Sequence, residues 1–232
     1  KIKFYIHFFM KKSIIIFFVL ILFSNVFANE LDFKNITKIE MDVLRNDKII
    51  GYSNYFFKHN KDTMIVENYT QFEIDLLGIK VFSIDSKSRE IYEKDKLLSF
   101  ESKTLQNDKK KFVKLIYDKG KYIINGSSFV GEAGQENIIG NWWNAEILKT
   151  KTQISPLSGS VKKQEVKFIN EEKVEYKGKK IKLSKFKLKS TEDLPDDKKL
   201  DFDIWLDTNK GIIFKVIYNR LGSWEYRLKN YE

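Results

Sequence analysis

The sequence predicts a mainly β protein: one large curved antiparallel sheet, a half-barrel or open barrel of about 11–12 strands, with one short helical or irregular crossing segment near 138–149. Three observations carry this. Apolar and polar residues alternate with a period of two along most of the chain. The alternating runs are separated by short clusters of Asn, Asp, Lys and Gly, the chemistry of tight turns, which pairs successive strands antiparallel. The two prolines, Pro156 and Pro195, both fall between such runs.

Taken in order, Ile39, Met41 and Val43 alternate with Glu40 and Asp42, and "RNDK" (45–48) turns the chain. "IIGYSNYFF" follows, with a turn at "KHNKD" (58–62). Met64, Val66, Phe72, Ile74 and Leu76 then share one parity, opposite Glu67, Gln71, Glu73 and Asp75. Gly78 breaks this run and "IKVFSID" resumes it. Further hairpins are predicted at "EKDK" (93–96), "QNDKK" (106–110) and "YDKGK" (117–121).

Residues 125–137, "NGSSFVGEAGQEN", hold three glycines without a period and are expected to form a long loop. The helix-like stretch 138–149 comes next. Strands return at 161–169, 173–190, 200–207, 212–219 and 223–230. In "IKLSKFKLKS" (181–190) the apolar parity slips by one between Leu183 and Phe186. That slip predicts a bulge near Ser184–Lys185 or a change of packing layer, the kind of bend a curving sheet needs.

The first 28 residues read differently. Lys11 and Lys12 precede an uncharged run, "SIIIFFVLILF" (13–23), and Val26 and Ala28 flank a plausible cut before Asn29. A basic start, a short apolar run and small residues at the cut predict a signal peptide over 1–28. Met10 is its natural start, which leaves 1–9 as upstream sequence and 29–232 as a single β domain. The apolar run is well short of the ~20 residues that span a bilayer, so no transmembrane segment is expected in 29–232. The expected location is the periplasm of a Gram-negative cell.

Residues 1–28 carry four lysines and no acid, so the formal charge of +10 falls to +6 for residues 29–232. Arginine supplies only Arg45, Arg89, Arg220 and Arg227 of 42 basic residues, and the lysines are spread along nearly every strand. Nucleic-acid sites favour clustered arginine, so solvated sheet faces are the better reading and no nucleic-acid partner is expected. Cysteine is absent, so a core rich in aromatic residues must carry stability without disulfides.

Most catalytic constellations are excluded. His59 is the single histidine of residues 29–232 and lies in a turn, and neither a G-x-S-x-G nor a phosphate-binding glycine loop occurs. Zinc needs several His or Cys ligands. Asp207, Asn209 and Gly211 resemble a calcium loop poorly, because the fifth position is Gly211 and the twelfth is Tyr218. Asp201, Asp203 and Asp207 read as a solvated strand face with lysine partners across the sheet. Glu90 and Glu93 differ in parity and give little support to an acid pair. Neither catalytic residue, metal nor cofactor is expected.

A concave sheet lined by aromatic residues can hold an apolar ligand, and the same residues can equally fill a core. The candidate liners are Trp142, Trp143, Phe72, Phe82, Phe214 and Trp224. Of the adjacent pair, Trp143 is expected to plug the interior and Trp142 to stand at a rim.

Several segments resemble, in order, a family of uncharacterised exported proteobacterial β-proteins, a domain of unknown function. They are "MDVLRNDKIIGYSNYFF", the stretch "FEIDLLGIKVFSIDSKSREIYEKDKLLSFESKTLQNDKK" with its leucine-glycine bend and with Glu90 before an aromatic, "NWWNAEIL", and "IWLDTNKGIIFKVIYNRLGSWEYRL". The resemblance spans about residues 38–228. It implies fold and compartment, and no catalytic residue. In outline it is similar to half-barrel periplasmic lipoprotein carriers, an analogy of fold alone.

The expected function is therefore an exported periplasmic protein that binds or carries an apolar or lipid-like ligand in its concave sheet. The alternative is a cell-envelope interaction or structural module with a filled core, no ligand and a protein partner. A hydrolase using an unrecognised acid pair ranks third.

Overall fold

The computed structural model describes residues 35–195, 198–219 and 222–232. The predicted signal peptide lies outside the described residues. The described chain forms one 15-stranded sheet. Its first eight strands are β1 (Lys38–Arg45), β2 (Lys48–Asn60), β3 (Thr63–Leu76), β4 (Ile79–Glu93), β5 (Lys96–Gln106), β6 (Lys109–Asp118), β7 (Lys121–Gly126) and β8 (Val130–Gly134). The rest are β9 (Ile138–Ile139), β10 (Thr152–Ile154), β11 (Val161–Tyr176), β12 (Lys179–Ser190), β13 (Asp201–Asp207), β14 (Ile212–Asn219) and β15 (Ser223–Tyr231).

The spatial order is β8-β7-β6-β5-β4-β3-β2-β1-β15-β14-β13-β12-β11-β10-β9. Two meanders thus meet where β1 pairs antiparallel with β15. Every neighbouring pair is antiparallel except β9 with β10, which is parallel. The open edges, β8 and β9, are consecutive in the chain and joined only by residues 135–137. The sheet therefore curls until its edges almost meet.

The segment between β10 and β11 spans part of that gap. Ser102 Oγ donates to Pro156 O at 2.6 Å, and Ser128 N donates to Ser158 O at 3.0 Å. A side chain at Gly126 would place a Cβ 2.5 Å from Ser158 O, so glycine permits this approach.

The mainly β, antiparallel, curved architecture holds, with 15 strands rather than 11–12. Residues 125–137 are not one loop: β8 sits within them, paired to β7. Residues 173–190 are not one strand, because Lys177 and Gly178 turn the chain with positive φ, and β11 pairs with β12 from there. The bulge expected near Ser184–Lys185 lies across the ladder. Phe168 pairs with Phe186 and Asn170 with Lys185, leaving Ile169 as the extra residue in β11. Beyond it the hairpin tip reaches β15, where Tyr176 OH donates to Lys229 O and Lys177 Nζ to Asn230 Oδ1. Trp205 is buried with this tip, its Nε1 donating to Glu172 Oε2 at 2.8 Å.

The acids of β13 behave largely as read. Lys187 pairs with both Asp201 and Asp203. Asp207 instead is buried and caps the next turn, accepting from the backbone N–H groups of Asn209 and Lys210.

Candidate functional site: a buried carboxylate and an aromatic track

Register places Phe57, Val66, Glu90, Phe100, Leu115 and Ile124 side by side across β2 to β7. All six are buried, and Glu90 is the one acid among them, 1% exposed. An unpaired charge there would be prohibitive, so its oxygens must be satisfied. Tyr92 OH donates to Oε2 at 2.6 Å, while Asn141 Nδ2 and Trp143 Nε1 donate to Oε1 at 2.7 and 2.9 Å. Burial raises the carboxyl to about 7 against the pull of these three donors. Burial beside that carboxylate holds the Tyr92 phenol well above its usual range.

Two of the donors belong to the crossing segment. Asn144 caps its short 3-10 helix, Ala145–Leu148, with its side chain accepting from Glu146 N at 3.0 Å. The indole of Trp143 is 2% exposed, edge-on to Phe57 at 5.4 Å and to Tyr92 at 5.7 Å. At the far end Gln164 Nε2 donates to Ile147 O and Thr150 O, and Gln153 Nε2 donates to Gln164 Oε1. The segment is thus pinned at both ends by buried side chains reaching its polar groups. Burial thus raises the Glu90 carboxyl toward neutrality, and its bonds to Asn141 and Trp143 latch the crossing segment to the sheet.

Trp142 points elsewhere. Its backbone N donates to Tyr55 OH at 3.3 Å, and its ring meets Phe202 at 5.0 Å and Tyr226 at 6.2 Å. From Phe202 the ring contacts continue to Tyr218 at 5.5 Å and from Tyr218 to Trp224 at 5.7 Å, the last pair stacked. Trp224 meets Phe72 at 5.6 Å and Phe82 at 5.8 Å. Seven rings therefore form a connected track along the inner face from the crossing segment to the β3–β4 hairpin. Trp142, Phe202, Tyr218, Tyr226 and Phe82 are only partly buried. Beside the track, Ser53, Thr70, Ser86 and Thr104 align across β2 to β5, with Ser53 to Thr70 and Ser86 to Thr104 both at 2.7 Å. A band of short hydroxyl side chains thus adjoins the aromatic one.

Of the six predicted liners, four fall on one track: Trp142, Phe72, Phe82 and Trp224. Trp143 sits apart at Glu90, and Phe214 packs on Tyr176 at 5.0 Å. Sequence reasoning passed over Phe202, Tyr218 and Tyr226 as liners, and Glu90 as the partner of Trp143. Parity was the available signal for Glu90. Ile84, Ser86, Ser88, Glu90 and Tyr92 form one side of β4, and its apolar members are buried.

A separate open cleft of about 190 Å3 lies beside Tyr92, lined also by Tyr122, Asn137, Asn144 and Glu146. Among the described residues, no group of three or more His, Cys, Asp or Glu is placed to hold a metal ion. Among them, too, no helix is long and apolar enough to cross a membrane.

Residues 41–229 match the model of a family described as Domain of unknown function (DUF6134). A comparison with curated proteins finds no match. The fold is similar to the crystal structure of a β-barrel-like protein of domain of unknown function DUF1849 from Brucella abortus. That likeness has a TM-score of 0.60 at 12% identity and covers 85% of this chain and 97% of the other.

Proposed function

The chain belongs to the DUF6134 family of domains of unknown function, and on that premise we propose that it is a binding module holding an apolar or amphipathic ligand against its inner face. One observation carries the reading: five rings of the aromatic track stay partly exposed on the concave side of the sheet, whereas Trp143, Phe57, Phe100 and Tyr92 are sealed. Apolar surface left open in a concavity is the usual material of a ligand site. The adjoining Ser–Thr band adds polar surface beside the rings, its hydroxyls bonded to one another. The basic start, apolar run and small residues of 1–28 support export, and with it a periplasmic setting.

The Trp143–Glu90 latch favours a second reading, in which the interior is a filled core and the protein serves as an envelope interaction or structural module. Native mass spectrometry of the full chain purified from its source membrane fraction separates the two. The binding reading expects an apolar adduct of defined mass, lost when Trp142 and Phe202 are both replaced by alanine. A bare protein mass, with no extractable lipid, supports the filled core.

A further inference from the structure

The β3–β4 turn departs from every other turn of its kind. Nine described non-glycine residues adopt positive φ. Eight are Asn, Asp or Lys, and the ninth is Leu77 at φ 52. The left-handed conformation crowds the Cβ of leucine, and Asn or Gly would relieve it. Packing does not compensate, since Leu77 is 97% exposed.

The hairpin also projects. Pairing of β3 with β2 ends at Phe72–Gly51, and pairing of β4 with β5 ends at Ile84–Gln106. Residues 73–82 therefore continue as a two-stranded ribbon of roughly 15 Å at strand rise beyond the last residues paired with either neighbour, while β2 itself runs on to Lys48 without pairing with β3. Its inner side bears Ile74 and Phe82, packed with Trp224 at the end of the aromatic track. Toward its tip Ile79 is 68% exposed, and Val81, the extra residue of a bulge, is exposed too. Ile49, on the next hairpin, adds a fourth exposed aliphatic side chain.

We propose that the β3–β4 tip is a membrane-surface anchor, inserting Leu77 and Ile79 into the apolar edge of a lipid bilayer. Four exposed aliphatic side chains on two neighbouring hairpins are far from the ~1,000 Å2 of matched surface that a specific protein interface needs. A deformable apolar medium needs no matched surface. A hairpin end suits it because the ribbon's backbone groups are paired across its two strands. Lys48 and Lys80 flank the aliphatic residues together with the acids Glu73 and Asp75, Lys80 forming an ion pair with Glu73, so the aliphatic side chains and not an excess of positive charge carry the contact. The tip is continuous with the aromatic track, so an anchored molecule presents that track to the source of an apolar ligand. Anchoring does not require the track to bind anything.

The chain contains no cysteine, so a single engineered one carries a label cleanly. The full chain with Ile79→Cys bears an environment-sensitive nitrobenzoxadiazole dye and is mixed with vesicles of equal parts phosphatidylcholine and phosphatidylglycerol. The dye is expected to shift to the blue and to be quenched by lipids spin-labelled in the acyl chain. Adding Leu77→Asn is expected to weaken the vesicle concentration dependence of that shift about tenfold or more. Asn is at ease at positive φ, so a melting temperature no lower than that of the parent shows the fold intact. The same dye on Lys119→Cys, at another turn, stays in water and controls for attachment through residues 1–28. A dye at position 79 that remains aqueous, or shifts equally with Leu77→Asn, overturns the proposal. Binding of a fluorescent fatty acid by the Leu77→Asn variant without vesicles reports on the ligand reading separately.

Discussion

Glu90 is the residue on which the interior turns, and its energetics have a definite sign. Burial lifts its folded value to about 7 from the ordinary 4.5. Below pH 4.5 the acid is neutral in folded and unfolded chains alike, and its stabilising contribution is fully present. As pH rises from 4.5 through 7 the unfolded chain ionises more readily, and that contribution is lost. Glu90→Gln removes the titration while keeping an acceptor for Trp143. Across this window it should gain roughly 3 kcal/mol relative to the parent, read by urea denaturation at pH 4.5 and pH 8. A parallel pH dependence in both proteins would contradict this. The tryptophans should separate in the same assay. Trp143→Ala is expected to cost roughly 3–5 kcal/mol, because it opens a sealed cavity and strips Glu90 of a donor. Trp142→Ala should cost only roughly 1–2 kcal/mol, in proportion to its partial burial. The division between the two rings was legible in the sequence, since the chain leaves its strand pattern there. The carboxylate beneath Trp143 has its signal in parity alone, Glu90 sharing its side of the strand with the buried Ile84 and Tyr92.

Among the elements, those with clean alternation and polar turns were readable and those set by contacts were not. The strands from β1 to β7 carry their register in side-chain parity, and their turns, apart from Leu77–Gly78 between β3 and β4, in Asn, Asp and Lys at positive φ. The sequence of β8, Val-Gly-Glu-Ala-Gly, has little preference for a strand and forms one because β7 offers an unpaired ladder. The turn at Lys177–Gly178 was hidden because charged residues fill both arms of the β11–β12 hairpin. The parity slip of β12 was a real signal, with the extra residue placed in its partner. Gly51 makes a further test of close strand packing. A Cβ there would lie 2.0 Å from Gln71 O, a backbone atom that cannot move without breaking the β2–β3 ladder. Gly51→Ala should therefore lower stability by about 1–3 kcal/mol in thermal unfolding. An unchanged melting temperature would mean that the two strands separate freely at that point.

At the scale of the molecule, the sheet order brings β1 and β15 together at the middle and leaves β8 and β9 as nearly touching edges. Curvature on this scale was predictable from width alone, since so many strands cannot lie flat. The closing device was not, because it depends on Ser102, Gly126 and Gln164 meeting segments distant in the chain. The resulting half-barrel has one sealed region, around Trp143, and one open aromatic region, from Trp142 to Phe82. On the proposed reading a ligand lies against the open region, while the bonds of Asn141 and Trp143 to Glu90 hold the crossing segment beside it. A titration with a fluorescent fatty acid, followed in the parent, in Trp142→Ala with Phe202→Ala, and in Phe214→Ala, tests this most directly. The account predicts saturable binding in the parent and in Phe214→Ala, and loss of binding in the double variant with its fold intact. No saturable binding in the parent, or equal binding in all three, would contradict it.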